Sequence, residues 1–244
     1  MLQFVVTALA LSVFQSNALA AEDVEVHRFA KGFVNVYALQ GATGTVVVDA
    51  HYKRSHRWVA RKLDRAGLSD DVTLLLLTHA HSDHAGGALA LAEALEVPIA
   101  VGAGDVGMLE AGDHGKPIVQ SLLGRLLAPT IPRHYPAAKA DIVVEGELRL
   151  ASHGVAATAR VVGGHSSGSL VVVLDADKTT LSGDLVRGGL TAQHRPKRHF
   201  FHEDVDRAQA AVGELLEEGV PTLLPAHGNT LTAERLERWL SRRK

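Results

Sequence analysis

The 244-residue chain has no cysteine. That excludes disulfide bonds, thiolate metal ligands and a cysteine nucleophile. It also has little excess of charge of either sign. The 25 Lys and Arg residues and 27 Asp and Glu residues leave a formal net charge of −2. Such a balance gives no electrostatic case for nucleic acid or for an anionic membrane surface. The nearest thing to a basic block, Arg195-Pro196-Lys197-Arg198, is short. Beyond the N-terminus no apolar run is long enough to span a bilayer.

What is present is an ordinary globular composition, with 46% apolar residues, and a length that accommodates one larger domain with a well-buried core. At the N-terminus, Phe4 to Phe14 is apolar apart from Thr7 and Ser12, and Ala18-Leu19-Ala20 follows as an A-x-A cleavage pattern. Residues 1–20 are therefore expected to be a secretory signal peptide. The mature domain is expected to span 21–244, in the periplasm or outside the cell, with no stable membrane insertion. The n-region Met1-Leu2-Gln3 departs from the usual pattern in carrying no Lys or Arg.

The chemistry is concentrated in Thr78-His79-Ala80-His81-Ser82-Asp83-His84-Ala85-Gly86-Gly87, directly after the apolar run Val72 to Leu77. Imidazole and carboxylate suit zinc and related divalent ions. Side chains alternate along an extended chain, so His79 and His81 can point the same way. Three more segments repeat the arrangement: Gly164-His165, Gly183-Asp184 and Ala226-His227-Gly228, each at the end of an apolar run. Several loops at strand ends, each offering a metal donor, point to a metal site.

The order His-x-His-x-Asp-His, Gly-His, Gly-Asp, Ala-His-Gly resembles the metallo-β-lactamase superfamily over nearly all of the chain after the first two dozen residues. The resemblance implies an α/β fold, a four-layer αβ/βα sandwich of two mixed sheets with outer helices. It implies two divalent ions, zinc first, with iron or manganese as alternatives. His79, His81 and His165 would hold the first ion, and Asp83, His84 and His227 the second. Asp184 would bridge them, as in glyoxalase II-like members. The implied reaction is attack by a hydroxide shared between the ions on an ester, thioester, lactone or amide in a small-molecule substrate. Asp83 is then the candidate catalytic proton shuttle. A β-lactamase of the all-histidine-and-Asp group is one alternative, although such enzymes lack the bridging Asp. An oxidoreductase resembling the mononuclear iron persulfide dioxygenases is another.

Around this set, Asp49 is expected to orient a ligand through a hydrogen bond, with Thr78 and Ser166 as lesser members of the same network. His51 is either a solvent-facing loop residue or a border of the pocket. The loop Arg187 to His202, with His194, Arg195, Lys197, Arg198, His199 and His202, is read as a solvated surface loop, or else as a basic rim for an acidic substrate. His27, His56, His114, His134 and His153 are read as surface or packing residues. Residues 104–138 are expected to be an insertion or lid with a short helix near Val119 to Leu127. The apolar residues of that helix are read as core packing, or else as an apolar wall facing the substrate. Helices are also expected over Ser55–Ala66, Ala85–Leu95, Asp204–Glu218 and Thr232–Leu240, the last capped by the Thr232 side chain.

Overall fold

Short, almost wholly apolar segments make strands covered on both faces, and their order builds two sheets. In this computed structural model, which describes residues 23–242, β1 (Glu25–Lys31), β2 (Val34–Gln40) and β3 (Thr45–Val48) run antiparallel. Then α1 (His56–Arg65) leads to β4 (Val72–Leu76). The one-turn α2 (Ser82–Ala85) and α3 (Ala88–Leu95) lead to β5 (Ile99–Gly102). Helices α4 (Val106–Ala111) and α5 (Leu122–Leu127) precede β6 (Ile142–Val144). The sheet order is β1-β2-β3-β4-β5-β6, with β3 to β6 parallel. The signal-peptide reading of residues 1–20 lies outside the described residues.

The second half contributes β7 (Glu147–Arg149), β8 (Ala157–Val161), β9 (Leu170–Leu174) and β10 (Thr180–Gly183). A small ribbon follows, β11 (Arg187–Gly188) with β12 (Pro196–Lys197). Then come α6 (Val205–Glu217), β13 (Thr222–Pro225), β14 (Leu231–Thr232) and α7 (Ala233–Ser241). The sheet order is β14-β13-β10-β9-β8-β7, in which β10 and β13 are parallel and the other pairs antiparallel.

The pleat sorts alternate residues into layers. Val46, Val48, Leu74 and Leu76 face the second sheet and meet Ala157, Ala159, Val172 and Leu181. Val47, Leu75 and Leu77 face outward onto Val59 and Leu63 of α1 and Leu91 of α3. On the far side, Val171 and Leu223 pack against Ala208, Val212 and Leu215 of α6 and Leu236 of α7. These are the four layers expected of an αβ/βα sandwich.

Three local expectations are corrected. The helix foreseen over Ala85–Leu95 starts only at Ala88, as α3, because Gly86-Gly87 separates it from the one-turn α2 that Ala85 ends. A side chain at Gly86 would overlap the Ser82 carbonyl and the Lys53 amide, and one at Gly87 the Ala50 carbonyl. The glycine pair thus lets α2, with Asp83 and His84, lie against the loop after β3. Thr232 stands at the N-terminus of α7, but its side chain makes no capping hydrogen bond. The ends of the 104–138 segment pack on the sandwich. Leu109, Tyr135 and Ala138 belong to the outer core of the first sheet, and only the middle stands over the site. There α5 is shorter than expected and starts at Ser121, whose hydroxyl accepts from the Gly124 amide. Its apolar residues are not core: Leu122 is 76% exposed and Leu126 69%.

Candidate metal centre

All the donor loops leave the carboxyl ends of strands, where α/β folds expose backbone and side chains together. His79 and His81 follow β4, and Asp83 and His84 lie on α2. His165 follows β8, Asp184 follows β10, and His227 follows β13. The two sheets are joined at this point: the side chain of Asn35 on β2 donates to the carbonyls of Pro225 and Gly228, and the Tyr37 hydroxyl donates to Pro225.

The seven residues singled out from the sequence converge. Asp184 Oδ2 lies 3.8 Å from His79 Nε2, 3.5 Å from both His84 Nε2 and His165 Nε2, and 3.3 Å from His227 Nε2. Asp83 Oδ2 lies 3.3 Å from His227 Nε2 and 3.6 Å from His84 Nε2. His81 meets His165, Nδ1 to Nε2, at 2.9 Å. The donor atoms of His79, His81 and His165 form one compact group, and those of Asp83, His84, Asp184 and His227 another, each within 4.8 Å.

Hydrogen bonds behind the rings decide which nitrogen faces the centre. Carbonyls and carboxylates accept only, so His227 Nδ1 donates to the Phe33 carbonyl at 2.6 Å, and His84 Nδ1 donates to Asp49 Oδ2 at 2.8 Å. The Thr78 hydroxyl donates to Asp49 and is left to accept from His79 Nδ1 at 3.1 Å. In each ring Nε2 then points inward. His79 Nε2, His84 Nε2, His227 Nε2 and Asp184 Oδ1 are buried with no hydrogen-bond partner. Orphaned donors of this kind are costly unless a ligand occupies them, and the set fits divalent cations of the zinc class.

The electrostatics agree. Burial drives His79 and His165 well below the ordinary imidazole value and His81 down to about 3, so these rings are neutral, the form that binds metal. Burial opposes the charge on Asp184, but His227, His199 and His84 hold its carboxyl well below the usual range. His84 and His227 are opposed by burial too. Asp83 and Asp49 nevertheless raise His84, and Asp184 and Asp83 raise His227 to about 10. Without a cation, the carboxylates thus hold protons on two rings.

The structure also gathers residues that the sequence did not single out for the site. His199 and His202 are buried against the centre rather than in a solvated loop, so that reading is corrected for both. His199 Nε2 is 3.4 Å from Asp184 Oδ2. The His202 ring centre is 5.3 Å from that of His165. His114, read as surface or packing, lies against His81 at 4.8 Å and lines the cavity. Asp105 is fully buried and accepts from the Gly168 amide, the Ala80 amide and the Ser166 hydroxyl, each at 2.8 Å. It ties the loop of His81 to the loop of His165. Its only sequence signal is position, just beyond β5 at the same sheet end. His51 neither faces solvent nor lines the cavity: it is buried, bonded to the Lys31 carbonyl at 3.1 Å. His27, His56, His134, His153 and His194 take no part in the cluster.

The centre opens into a cavity of about 420 Å³. Asp83, Asp184, His81 and His199 lie at its base, and Phe33, Leu123, Leu127, Ile131, Leu190 and Phe200 supply apolar walls.

Comparison with known families places this arrangement. The model of the metallo-beta-lactamase superfamily matches residues 30–227, and the chain belongs to that superfamily. The fold is similar to that of the metallo-beta-lactamase SMB-1 solved with 2-mercaptoethanesulfonate, at 19% identity and a TM-score of 0.62 over 83% of this chain and 77% of that one. It is also similar to BJP-1, a subclass B3 metallo-beta-lactamase of Bradyrhizobium japonicum, at 22% identity and TM-score 0.58 over 83% and 74% of the chains. A metallo-beta-lactamase of Cronobacter sakazakii with a HARLDQ motif is similar at 20% identity and TM-score 0.62, over 89% and 87%. This chain has His-Ala-His-Ser-Asp-His at residues 79–84. No curated protein sequence matches the chain significantly.

Proposed function

We propose that the protein is a hydrolase working with two divalent ions, zinc by preference. In this reading His79, His81 and His165 hold one ion, Asp83, His84 and His227 hold the other, and Asp184 bridges them. One observation carries it: a single buried carboxylate oxygen, Asp184 Oδ2, sits 3.3–3.8 Å from imidazole nitrogens of both groups. When bound, such a pair of ions supplies an activated water and polarises the bond under attack. Asp83 lines the cavity beside the centre and is placed to pass a proton to the leaving group. The apolar walls favour an ester, thioester, lactone or amide whose acyl part is apolar.

A β-lactam is the second reading, favoured by the structural likeness to metallo-beta-lactamases. Asp184 at the bridging position speaks for the other acyl substrates. Export is part of the proposal, supported by the apolar N-terminal stretch and Ala18-Leu19-Ala20. N-terminal sequencing of the protein recovered from outside the cytoplasm would read Ala21 first if residues 1–20 are removed.

The test is metal content per chain, paired with hydrolysis of nitrocefin, an acyl homoserine lactone, an S-acyl glutathione and a phosphodiester. Two zinc ions per chain, with hydrolysis of an acyl substrate that Asp184→Ala abolishes, is the expected result. A single iron, no hydrolysis, and oxygen consumption on a persulfide would replace the hydrolase with an oxygenase.

A further inference from the structure

Among the described residues, His199 is the one side chain outside the expected ligand set whose donor atom groups with those of the centre. His165, Asp184 and His199 form a third compact group of donors within 4.8 Å, all three buried. His199 Nε2 lies 3.4 Å from Asp184 Oδ2, as close as the imidazoles of the expected set. Its ring is stacked on His227, with centres 5.3 Å apart and planes 23° apart, and meets His165 edge-on at 4.8 Å. Behind the ring, Nδ1 lies 3.1 Å from the Phe201 carbonyl and 3.4 Å from the Phe201 amide; the shorter contact, to a group that can only accept, makes Nδ1 the donor. A backbone carbonyl also backs His227, from Phe33 at 2.6 Å, and in that tautomer His199 Nε2 faces the centre without a proton.

The backbone around it is fixed from several sides. The Gln120 amide donates to the Phe200 carbonyl at 2.8 Å, Val119 bridges to Phe201, and the Glu203 amide donates to the His165 carbonyl at 3.0 Å. The Arg187 guanidinium covers the Phe200 ring at 3.8 Å. A surface histidine needs none of this support.

We propose that His199 is an eighth protein ligand, completing the coordination of the ion held by His165 and Asp184. The inference rests on the dinuclear reading above. It makes this site richer in imidazole than the seven-residue set that the superfamily resemblance implies. That ion would then gain a donor from the same stretch of chain that contacts residues 118–120 beside α5.

The test uses the full-length mature protein loaded with Co²⁺ in place of the native ion. Imidazoles bound to paramagnetic cobalt give strongly shifted, solvent-exchangeable N–H proton resonances. The bond from His199 Nδ1 to Phe201 protects its proton from rapid exchange. We expect one such resonance to disappear in His199→Ala while the remainder persist, and none to disappear in His202→Ala. His199→Gln, which refills the space, guards against loss of the fold and should remove the same resonance. If all shifted resonances survive both His199 substitutions with two cobalt ions bound, His199 is not a ligand and the dinuclear reading still stands. If the protein takes up no cobalt, both readings fall.

Discussion

At the scale of single residues, the centre depends on two buried carboxylates that need bind no metal themselves. Asp49 adopts a left-handed backbone, φ 68°, unusual for a residue with a side chain. That turn aims its carboxylate at His84 Nδ1 and at the Thr78 amide and hydroxyl. Removing a partner behind a ligating imidazole lowers metal affinity by about 10–100-fold. In the dinuclear reading, Asp49→Ala should therefore weaken the metal equivalent held by His84 by that factor in a chelator competition, and the one held by His79, which Asp49 reaches only through Thr78, by less; affinities unchanged from the unsubstituted protein would show that Asp49 orients neither ring. Asp105 poses a different problem. Burial pushes its carboxyl up, yet three donors converge on it. In Asp105→Asn, whichever way the amide turns, its NH2 faces the Gly168 amide or the pair from Ala80 and Ser166. A buried donor left without an acceptor costs about 1–3 kcal/mol. Urea unfolding should show that loss, and an unchanged midpoint would mean the loop relaxes around the amide.

At the scale of elements, α5 decides what the cavity accepts. Leu123 and Leu127 line the cavity, whereas Leu122 and Leu126 face away into solvent. Burying a leucine-sized contact is worth about 1.5–3 kcal/mol. Leu123→Ser should therefore raise KM roughly tenfold or more for substrates with a long apolar acyl chain. It should leave kcat and short-chain substrates alone, and Leu122→Ser should change neither. A uniform loss across chain lengths would remove α5 from substrate binding. The same helix shows where the sequence stops being readable. Periodicity located the leucines but could not say which surface they met, because their neighbours, Phe200 and the strand ends, come from distant segments. Strands such as Thr45–Val48 and Leu170–Leu174 were legible because a run of apolar residues is a local signal. The donors at residues 79, 81, 83, 84, 165, 184 and 227 were legible because each sits in a compact His-rich or glycine-flanked motif after such a run. His199 sits instead in Arg-His-Phe-Phe-His, which carries no such mark. Asp105 acts through bonds to residues 25 and 61 positions away. Only chain closure brings these together.

At the scale of the whole molecule, the centre is a crosslink between the two sheets. His79, His81, Asp83 and His84 follow β4 of the first sheet, while His165, Asp184 and His227 follow strands of the second. An ion held by both sets exists only when the sandwich is closed, so its binding energy adds to folding stability. At free metal near 100 times Kd the gain is about 2.7 kcal/mol, which for a chain of this length raises Tm by roughly 5–10 °C. The sign of the pH dependence follows from His227. Its pKa rises from the ordinary imidazole value of about 6.5 to about 10 in the folded, metal-free protein. The stability this confers is fully present below about pH 6.5 and is lost as pH climbs toward 10. The metal-free protein therefore weakens as pH rises. Over the same range fewer protons oppose the ion, and metal binding strengthens. The gap in Tm between metal-loaded and chelated protein should accordingly widen from pH 6.5 to pH 9, as read by parallel thermal scans. A gap that stays constant or narrows would mean that His84 and His227 do not exchange protons for metal.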